Sequence, residues 1–230
     1  MQRSYLKAGV IAGLPIFIGY LPIAIAFGLL AKVTGLNFVQ SLAFSIFVYA
    51  GASQFIALNL LQTGAAQLEI VTATLLLNLR HLLMSTSLAA RLERKTKGLL
   101  PWIAFGVTDE SFSVAATREG KLDPGYLLAL NFTAYLGWVG GTAGGFWVGA
   151  ALPKTLQQSM GITLYAMFVA LLVPVIKKKA WYGCLALTAG LVHTILAGLK
   201  RFPAGWNIIL AILVVTLVGA LVERQTEGAG

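Results

Sequence analysis

The sequence predicts an all-α fold, a polytopic membrane helix bundle of six to eight apolar segments. Three observations carry that prediction. Hydrophobic residues make up 58% of the chain and charged residues only 11%, whereas a soluble domain is about one quarter charged. Apolar runs of about 20 residues, long enough to span a bilayer core, succeed one another with short connections. Two of the runs are interrupted by charge. Arg80 and His81 fall inside Leu68–Ala90, and Thr108-Asp109-Glu110-Ser111 falls inside 99–117. Charge at hydrocarbon depth costs roughly 2.5–3.5 kcal/mol per Arg or Asp. Such residues face protein or a water-filled cavity, and they find partners.

The balance of the composition narrows the class. Mean hydropathy is +0.82 and the net charge is +9. Lys and Arg lie mostly in loops between apolar runs, which fits orientation against a membrane rather than nucleic-acid binding. One transmembrane domain is expected over 1–222, with a frayed polar tail over 223–230. The first apolar run is too long for a cleaved signal and lacks a small-residue cleavage motif. Cys184 has no partner for an internal disulfide and is expected to pack. No cofactor and no metal are expected.

Eight segments can be read in order: 8–31, 38–62, 68–90, 99–117, 125–151, 160–176, 182–198 and 206–222. Segment one holds Pro15 and Pro22 with Gly13, Gly19 and Gly28, and is expected to be broken or re-entrant. Segment two centres on Gly51-Ala52-Ser53-Gln54, small residues that allow either an unwound stretch or a close helix contact. Segment four is short, carries two carboxylates, and is expected to enter and return on one side. Segment five presents Gly137, Gly140, Gly141, Gly144, Gly145 and Gly149 as a packing face. Segment eight has few polar atoms and is expected to face lipid or another subunit.

Lys and Arg test the topology. If all eight segments cross, they divide eight against eight. If segments one and four return and the N-terminus is inside, the division is thirteen against three. If only segment four returns, with the N-terminus outside, it is eleven against five. A faint repeat at a shift of 86 residues lays Tyr49-Ala50-Gly51 on Tyr135-Leu136-Gly137. Transporter sites commonly lie at the interface of such repeats.

The polar residues outline a site. Thr74, Asn78, His81 and Ser85 share one helix face at i, i+4, i+7 and i+11, with Arg80 about 100° round from His81. Arg80 either handles a ligand or pairs with Asp109 or Glu110 to lock the bundle. Asp109 and Glu110 point in different directions, so one can neutralise Arg80 while the other carries a proton. Helix starts and freed carbonyls near Gly51–Gln54 suit carboxylate and ammonium groups. His193 reads as a core histidine, and Lys177-Lys178-Lys179 as a cytoplasmic anchor.

Four strings resemble the AzlC-type branched-chain amino-acid exporters, the large subunit of a two-component permease. They are Pro22-Ile23-Ala24-Ile25-Ala26-Phe27-Gly28, Ala50-Gly51-Ala52-Ser53-Gln54-Phe55, Leu77-Asn78-Leu79-Arg80-His81-Leu82-Leu83 and Thr108-Asp109-Glu110-Ser111-Phe112. The resemblance covers roughly 15–115 in order. It implies export of Val, Leu and Ile, with Met at the edge of the range, across a bacterial inner membrane. It also implies a small AzlD-type membrane partner. Met84, Leu21 and Ile23 depart from the usual pattern and bear on the side-chain pocket.

On this reading the substrate contacts are Arg80, Asn78, Gln54, Ser53, Gly51 and Asp109. Asp109, Glu110 and His81 carry proton coupling, and Phe27, Phe55, Met84 and Phe112 surround the apolar tail. The rivals are a passive channel or scaffold subunit, and an intramembrane serine hydrolase using Ser53 and His193.

Overall fold

The computed structural model describes residues 2–92, 98–148, 179–199, 201–202 and 204–227, with 151, 153, 155, 169, 172–173 and 176–177 as isolated positions. The described residues form helices and no strand. The helices Ser4–Val33, Gln67–Arg91 and Trp181–Leu199 are long and apolar enough to cross a membrane. The chain divides into two compact units, 1–58 with 77–163 and 59–76 with 164–230.

The first unit is built on two parallel helices. α1 (Gln2–Val33) is continuous through Pro15 and Pro22, which corrects the expected break in segment one. A proline removes one intrahelical donor, and in membrane segments neighbouring groups absorb that loss. The glycines of α1 serve packing instead of bending. Gly9 lies against Tyr126 and Ala129, Gly13 against Leu130 and Thr133, and Gly28 against Thr142 and Phe146 of α7 (Pro124–Val148). Residue numbers climb together along both helices, so α1 and α7 run the same way.

From α7, Gly137 meets Phe17, Gly141 meets Ala24 and Gly145 meets Ile25. A Cβ on Gly141 would lie 2.6 Å from the Cβ of Ala24, so only glycine permits this approach. Gly140 and Gly144 face open space, and Gly149 lies outside the described residues. The packing face is therefore the i, i+4, i+8 series alone.

Segment two is a broken hairpin. α2 (Phe38–Ala43) starts on an Asn37–Gln40 capping box and runs into a π-helical turn over Phe44–Val48. Tyr49 then adopts a left-handed φ of 36°, a conformation that costs a non-glycine residue roughly 1–3 kcal/mol. α3 (Gly51–Gln62) restarts beyond it. The Phe38 ring packs on Phe146, 5.5 Å away, and the Tyr49 ring on Tyr135, 5.0 Å away. Phe55 of α3 comes back to Phe27, 5.6 Å away, and Phe27 also neighbours Phe44 at 6.4 Å. The segment thus descends along α7 and returns towards the end of α1.

Segment four is a second hairpin, entering from the other end. α4 (Gln67–Arg91) precedes it. α5 (Leu100–Phe105) opens with a proline in its first turn, the chain breaks at Gly106-Val107-Thr108, and α6 (Asp109–Ala116) follows. Ser85 of α4 donates to the Ala104 carbonyl at 3.5 Å, Arg80 meets Asp109, and Arg91 meets the end of α6. The guanidinium of Arg91 donates to the carbonyls of Ala116 (3.1 Å), Gly120 (3.0 Å) and Arg118. Leu122 N–H donates to the Arg91 carbonyl at 3.0 Å, and α7 starts two residues later. α4 and α6 therefore finish together, beside the starts of α1 and α7.

The two hairpins meet tip to tip, with the rings of Tyr49 and Phe105 6.1 Å apart. Their tips lie level with Tyr20 and Trp138, near the middle of α1 and α7. Parallel α1 and α7 require an odd number of full traverses between them. α4 supplies one, and both hairpins return. Two segments do return, as the charge count favoured, but they are segments two and four.

The internal repeat has a different register from the one expected. A shift of 58 places Gly51, the start of α3, on Asp109, the start of α6, and Val33, the end of α1, on Arg91, the end of α4. The shift of 86 lays the Tyr49 break on Tyr135, which sits in an unbroken helix.

In the second unit α8 (Trp181–Leu199) and α9 (Ala204–Glu227) form an antiparallel pair, with Gly219 against Leu185. Cys184 is exposed rather than packed. α9 continues to Glu227, so the residues expected to fray from Glu223 are helical. Most of segment six and Lys178 lie outside the described residues.

Candidate functional site

The second hairpin tip is held by α1 and α4. Arg80 Nη1 lies 3.0 Å from Asp109 Oδ2. The Tyr20 hydroxyl lies 2.5 Å from Glu110 Oε2 and 2.8 Å from Thr108 Oγ1. Thr108 caps α6 in a reciprocal box: Ser111 N–H donates to Thr108 Oγ1 at 3.3 Å, and Thr108 N–H donates to Ser111 Oγ at 2.9 Å. Asp109 and Glu110 occupy the first turn of α6, where the partial positive charge of the helix start favours carboxylates. As expected, one carboxylate pairs with Arg80 and the other points elsewhere. His81 is half-buried within electrostatic reach of Arg80 and Glu110.

The first hairpin tip is held differently. Asn78 Nδ2 donates to Ser53 Oγ at 3.1 Å, and Ser53 Oγ donates to the Ala50 carbonyl at 2.9 Å. Trp138 Nε1 donates to Gln54 Oε1 at 2.8 Å. The same indole lies over Gly51, where a Cβ would meet its Cη2 at 2.6 Å. No charged side chain occupies the start of α3: the positions equivalent to Asp109 and Glu110 are Gly51 and Ala52.

Three buried polar atoms of this tip and of Asn78 have no hydrogen-bond partner, Tyr49 Oη, Gln54 Nε2 and Asn78 Oδ1, and neither has Arg80 Nε, two residues further along α4 on the side of Asp109. Tyr49 and Gln54 are 3% and 0% exposed. A buried polar group left unpaired costs about 1–3 kcal/mol, so several together mark a place where a polar ligand or water belongs. Three are donors or donor-capable, which suits a carboxylate, and Asn78 Oδ1 accepts, which suits an ammonium.

Close to the tips lies a cavity of about 230 Å³, lined by Trp102, Phe105, Gly106, Leu128, Asn131, Phe132 and Tyr135. It is mostly apolar and reaches the break at Gly106. Phe27 and Phe55, expected around an apolar tail, are instead closed into the core with Trp138. Thr74 turns back onto its own helix carbonyls and takes no part.

Sequence reasoning missed Tyr20, Tyr49, Thr108 and Trp138. Each is a residue that reads as apolar or neutral until the fold sets it at a hairpin tip. It also missed Glu69 in the second unit, 7% exposed with Oε2 unpartnered. Ser53 bonds a carbonyl and an amide, neither of them a base, and His193 belongs to the other unit.

The family model described as AzlC protein matches residues 15–152, from mid α1 through α7 and both hairpins. The chain belongs to the AzlC family. The inner membrane protein YgaZ of Escherichia coli (strain K12) is 32% identical to it over 224 residues, covering 94% of this chain and 89% of that protein. An uncharacterized membrane protein of Archaeoglobus fulgidus is 33% identical over 181 residues, covering 77% and 79%. The branched-chain amino acid transport protein AzlC of Bacillus subtilis (strain 168) is 28% identical over 220 residues, covering 94% and 84%. No solved structure matches. With its long apolar helices, this AzlC-family chain is an integral membrane protein.

Proposed function

We propose that this AzlC-family protein is a secondary transporter that exports branched-chain and other neutral apolar amino acids across the bacterial inner membrane in exchange for protons. The observation that carries the reading is the set of unpartnered buried polar atoms at Tyr49, Gln54 and Asn78, by the start of α3, and at Arg80, by the start of α6. Helix starts at broken segments suit anionic groups, and a zwitterion brings both an anion and an ammonium. The substrate carboxylate binds at Gly51–Ser53 with Gln54 and Arg80, and the ammonium faces Asn78 and Asp109. Asp109, Glu110 and His81 supply the coupling carboxylates and imidazole. The name of the B. subtilis relative supports the substrate class.

Apart from Arg80 at the hairpin tip, the described positively charged side chains of the first unit divide unevenly: Lys7, Arg91, Arg118 and Lys121 gather at the end where α1 starts, and Lys32 lies at the other. This asymmetry supports a cytoplasmic N-terminus. The resemblance of the four strings brings a small AzlD-type subunit into the reading as partner. The hydrolase reading is disfavoured by the partners of Ser53. The direct test is binding of L-valine and L-leucine to purified protein by calorimetry. Binding that is lost in Gln54→Leu supports the site; equal binding in both contradicts it.

A further inference from the structure

We infer that Glu110 is the proton-binding carboxylate of this site, and that Tyr20, Thr108 and Ser111 form a hydroxyl relay that passes its protonation state to the break of the second hairpin. The inference rests on the proposed proton coupling and narrows its three candidate groups to one.

The oxygens form an unbroken line. Glu110 Oε2 lies 2.5 Å from Tyr20 Oη, Tyr20 Oη 2.8 Å from Thr108 Oγ1, Thr108 Oγ1 3.3 Å from Ser111 Oγ, and Ser111 Oγ 3.4 Å from the Gly106 carbonyl. Each hydroxyl has one proton to donate and lone pairs to accept with, so the line can be written in two directions. With Glu110 ionised, Tyr20 donates to Glu110, Thr108 to Tyr20, and Ser111 to Thr108. With Glu110 protonated, its O–H donates to Tyr20, Tyr20 to Thr108, Thr108 to Ser111, and Ser111 to the Gly106 or Thr108 carbonyl, each 3.4 Å away. One proton is added, at Glu110. Every hydroxyl keeps its own proton and only swings about its C–O bond. The backbone cap of α6 accepts both patterns, because Thr108 Oγ1 and Ser111 Oγ each retain a lone pair for the N–H that faces it.

Neither other candidate has such an outlet. Asp109 faces Arg80, which only donates, so a proton there breaks the pair and is passed to nothing. His81 makes none of the bonds at the tip. The titratable groups that face Glu110 are Tyr20 from α1, Tyr49 from the first hairpin and His81 from α4, while Arg80 of α4 is paired with the neighbouring Asp109.

The relay ends where a ligand can sense it. Gly106 lines the 230 Å³ cavity, and the Ser111 hydroxyl turns to the carbonyls of the break, Gly106 and Thr108, only in the protonated pattern. Ionisation of Glu110 turns that hydroxyl back to Thr108 Oγ1. Protonation of Glu110 thus rearranges the hydrogen bonds of the break next to Asp109, where the proposed ammonium site lies, and this couples the proton to the substrate.

The test is pH-difference infrared spectroscopy of the full-length protein in lipid, for wild type, Glu110→Gln, Asp109→Asn and Tyr20→Phe. The expected result is a protonated-carboxyl band that appears on acidification, vanishes in Glu110→Gln, survives in Asp109→Asn, and shifts in Tyr20→Phe. Absence of the band, its loss in Asp109→Asn, or a frequency indifferent to Tyr20→Phe overturns the inference. Ser111→Ala keeps the Tyr20–Glu110 bond and cuts the relay beyond Thr108. It should lower proton-driven accumulation roughly two- to tenfold more than substrate exchange, the scale of one neutral hydrogen bond. Equal loss in both overturns the relay. If wild type moves no amino acid, the transport reading fails while the infrared result still decides Glu110.

Discussion

Tyr20 and Asn78 stand 58 positions apart and make equivalent contacts in opposite halves of the first unit. Tyr20 of α1 bonds the start of α6, and Asn78 of α4 bonds the start of α3. Each lies 13 residues before the end of its own helix, Val33 or Arg91. The same shift lays Ser53 on Ser111, the third residue of each half-helix. The unit is thus two copies of one motif, a long helix followed by a broken hairpin, inserted from opposite ends. Charge distinguishes the copies. Arg80, Asp109 and Glu110 fall on Pro22, Gly51 and Ala52, so one hairpin start carries its own anions and the other is left neutral.

The pair Arg80–Asp109 should act as a unit. Arg80→Ala and Asp109→Asn should each abolish transport, and the double variant should be no worse than either, because residues in contact are non-additive. Arg80→Lys should fail to restore transport if the guanidinium also serves the substrate through Nε. Retained transport in Arg80→Lys would reduce the pair to a structural lock. Initial rates in proteoliposomes, normalised to folded protein, check both points.

The α1–α7 contact should tolerate no added methyl on one face. A Cβ on Gly145 overlaps the Ile25 backbone, whereas one on Gly144 meets nothing. Gly145→Ala should destabilise by about 1–3 kcal/mol, and Gly144→Ala by less than about 0.5 kcal/mol. Thermal unfolding in detergent separates them.

Trp138 should matter through its N–H. Trp138→Phe leaves both ends of the buried Gln54 amide without a partner, at a cost of about 1–3 kcal/mol. Adding Gln54→Leu should recover stability and not transport. Thermal midpoints and uptake, measured on the same preparations, check the split.

Hairpin topology predicts a labelling pattern. In a Cys184→Ser background, cysteines at Asn37 and Gln62 should react with impermeant maleimide from one side of the membrane. Cysteines at Gly98 and Lys121 should react from the other. Asn37 and Gln62 labelling from opposite sides would show that segment two crosses.

Much of this was legible in the sequence, and the reasons for the rest are physical. Charge at depth pointed to Arg80, Asp109 and Glu110, because nothing but a site or a lock repays its desolvation. Two carboxylates in a short segment pointed to the return of segment four. Segment one misled because Pro15 and Pro22 read as breaks, while the deciding feature, an unbroken glycine contact with α7, is a property of two helices at once. The true break in segment two sits at Tyr49, whose left-handed backbone has no marker in residue type. Tyr20 and Trp138 were hidden because an aromatic residue in an apolar run reads as packing, and only the fold brings a hydroxyl to Glu110 or an indole N–H to Gln54.

The most direct test of the central claim is transport of radiolabelled valine and leucine in proteoliposomes, with and without an imposed pH gradient. Wild type, Arg80→Ala and Asp109→Asn are compared, alone and with the proposed AzlD-type subunit. Uphill movement that requires the gradient and disappears in both variants is the result predicted here. Folded wild-type protein that moves neither amino acid under any of these conditions, or that moves them only downhill regardless of pH, would contradict it.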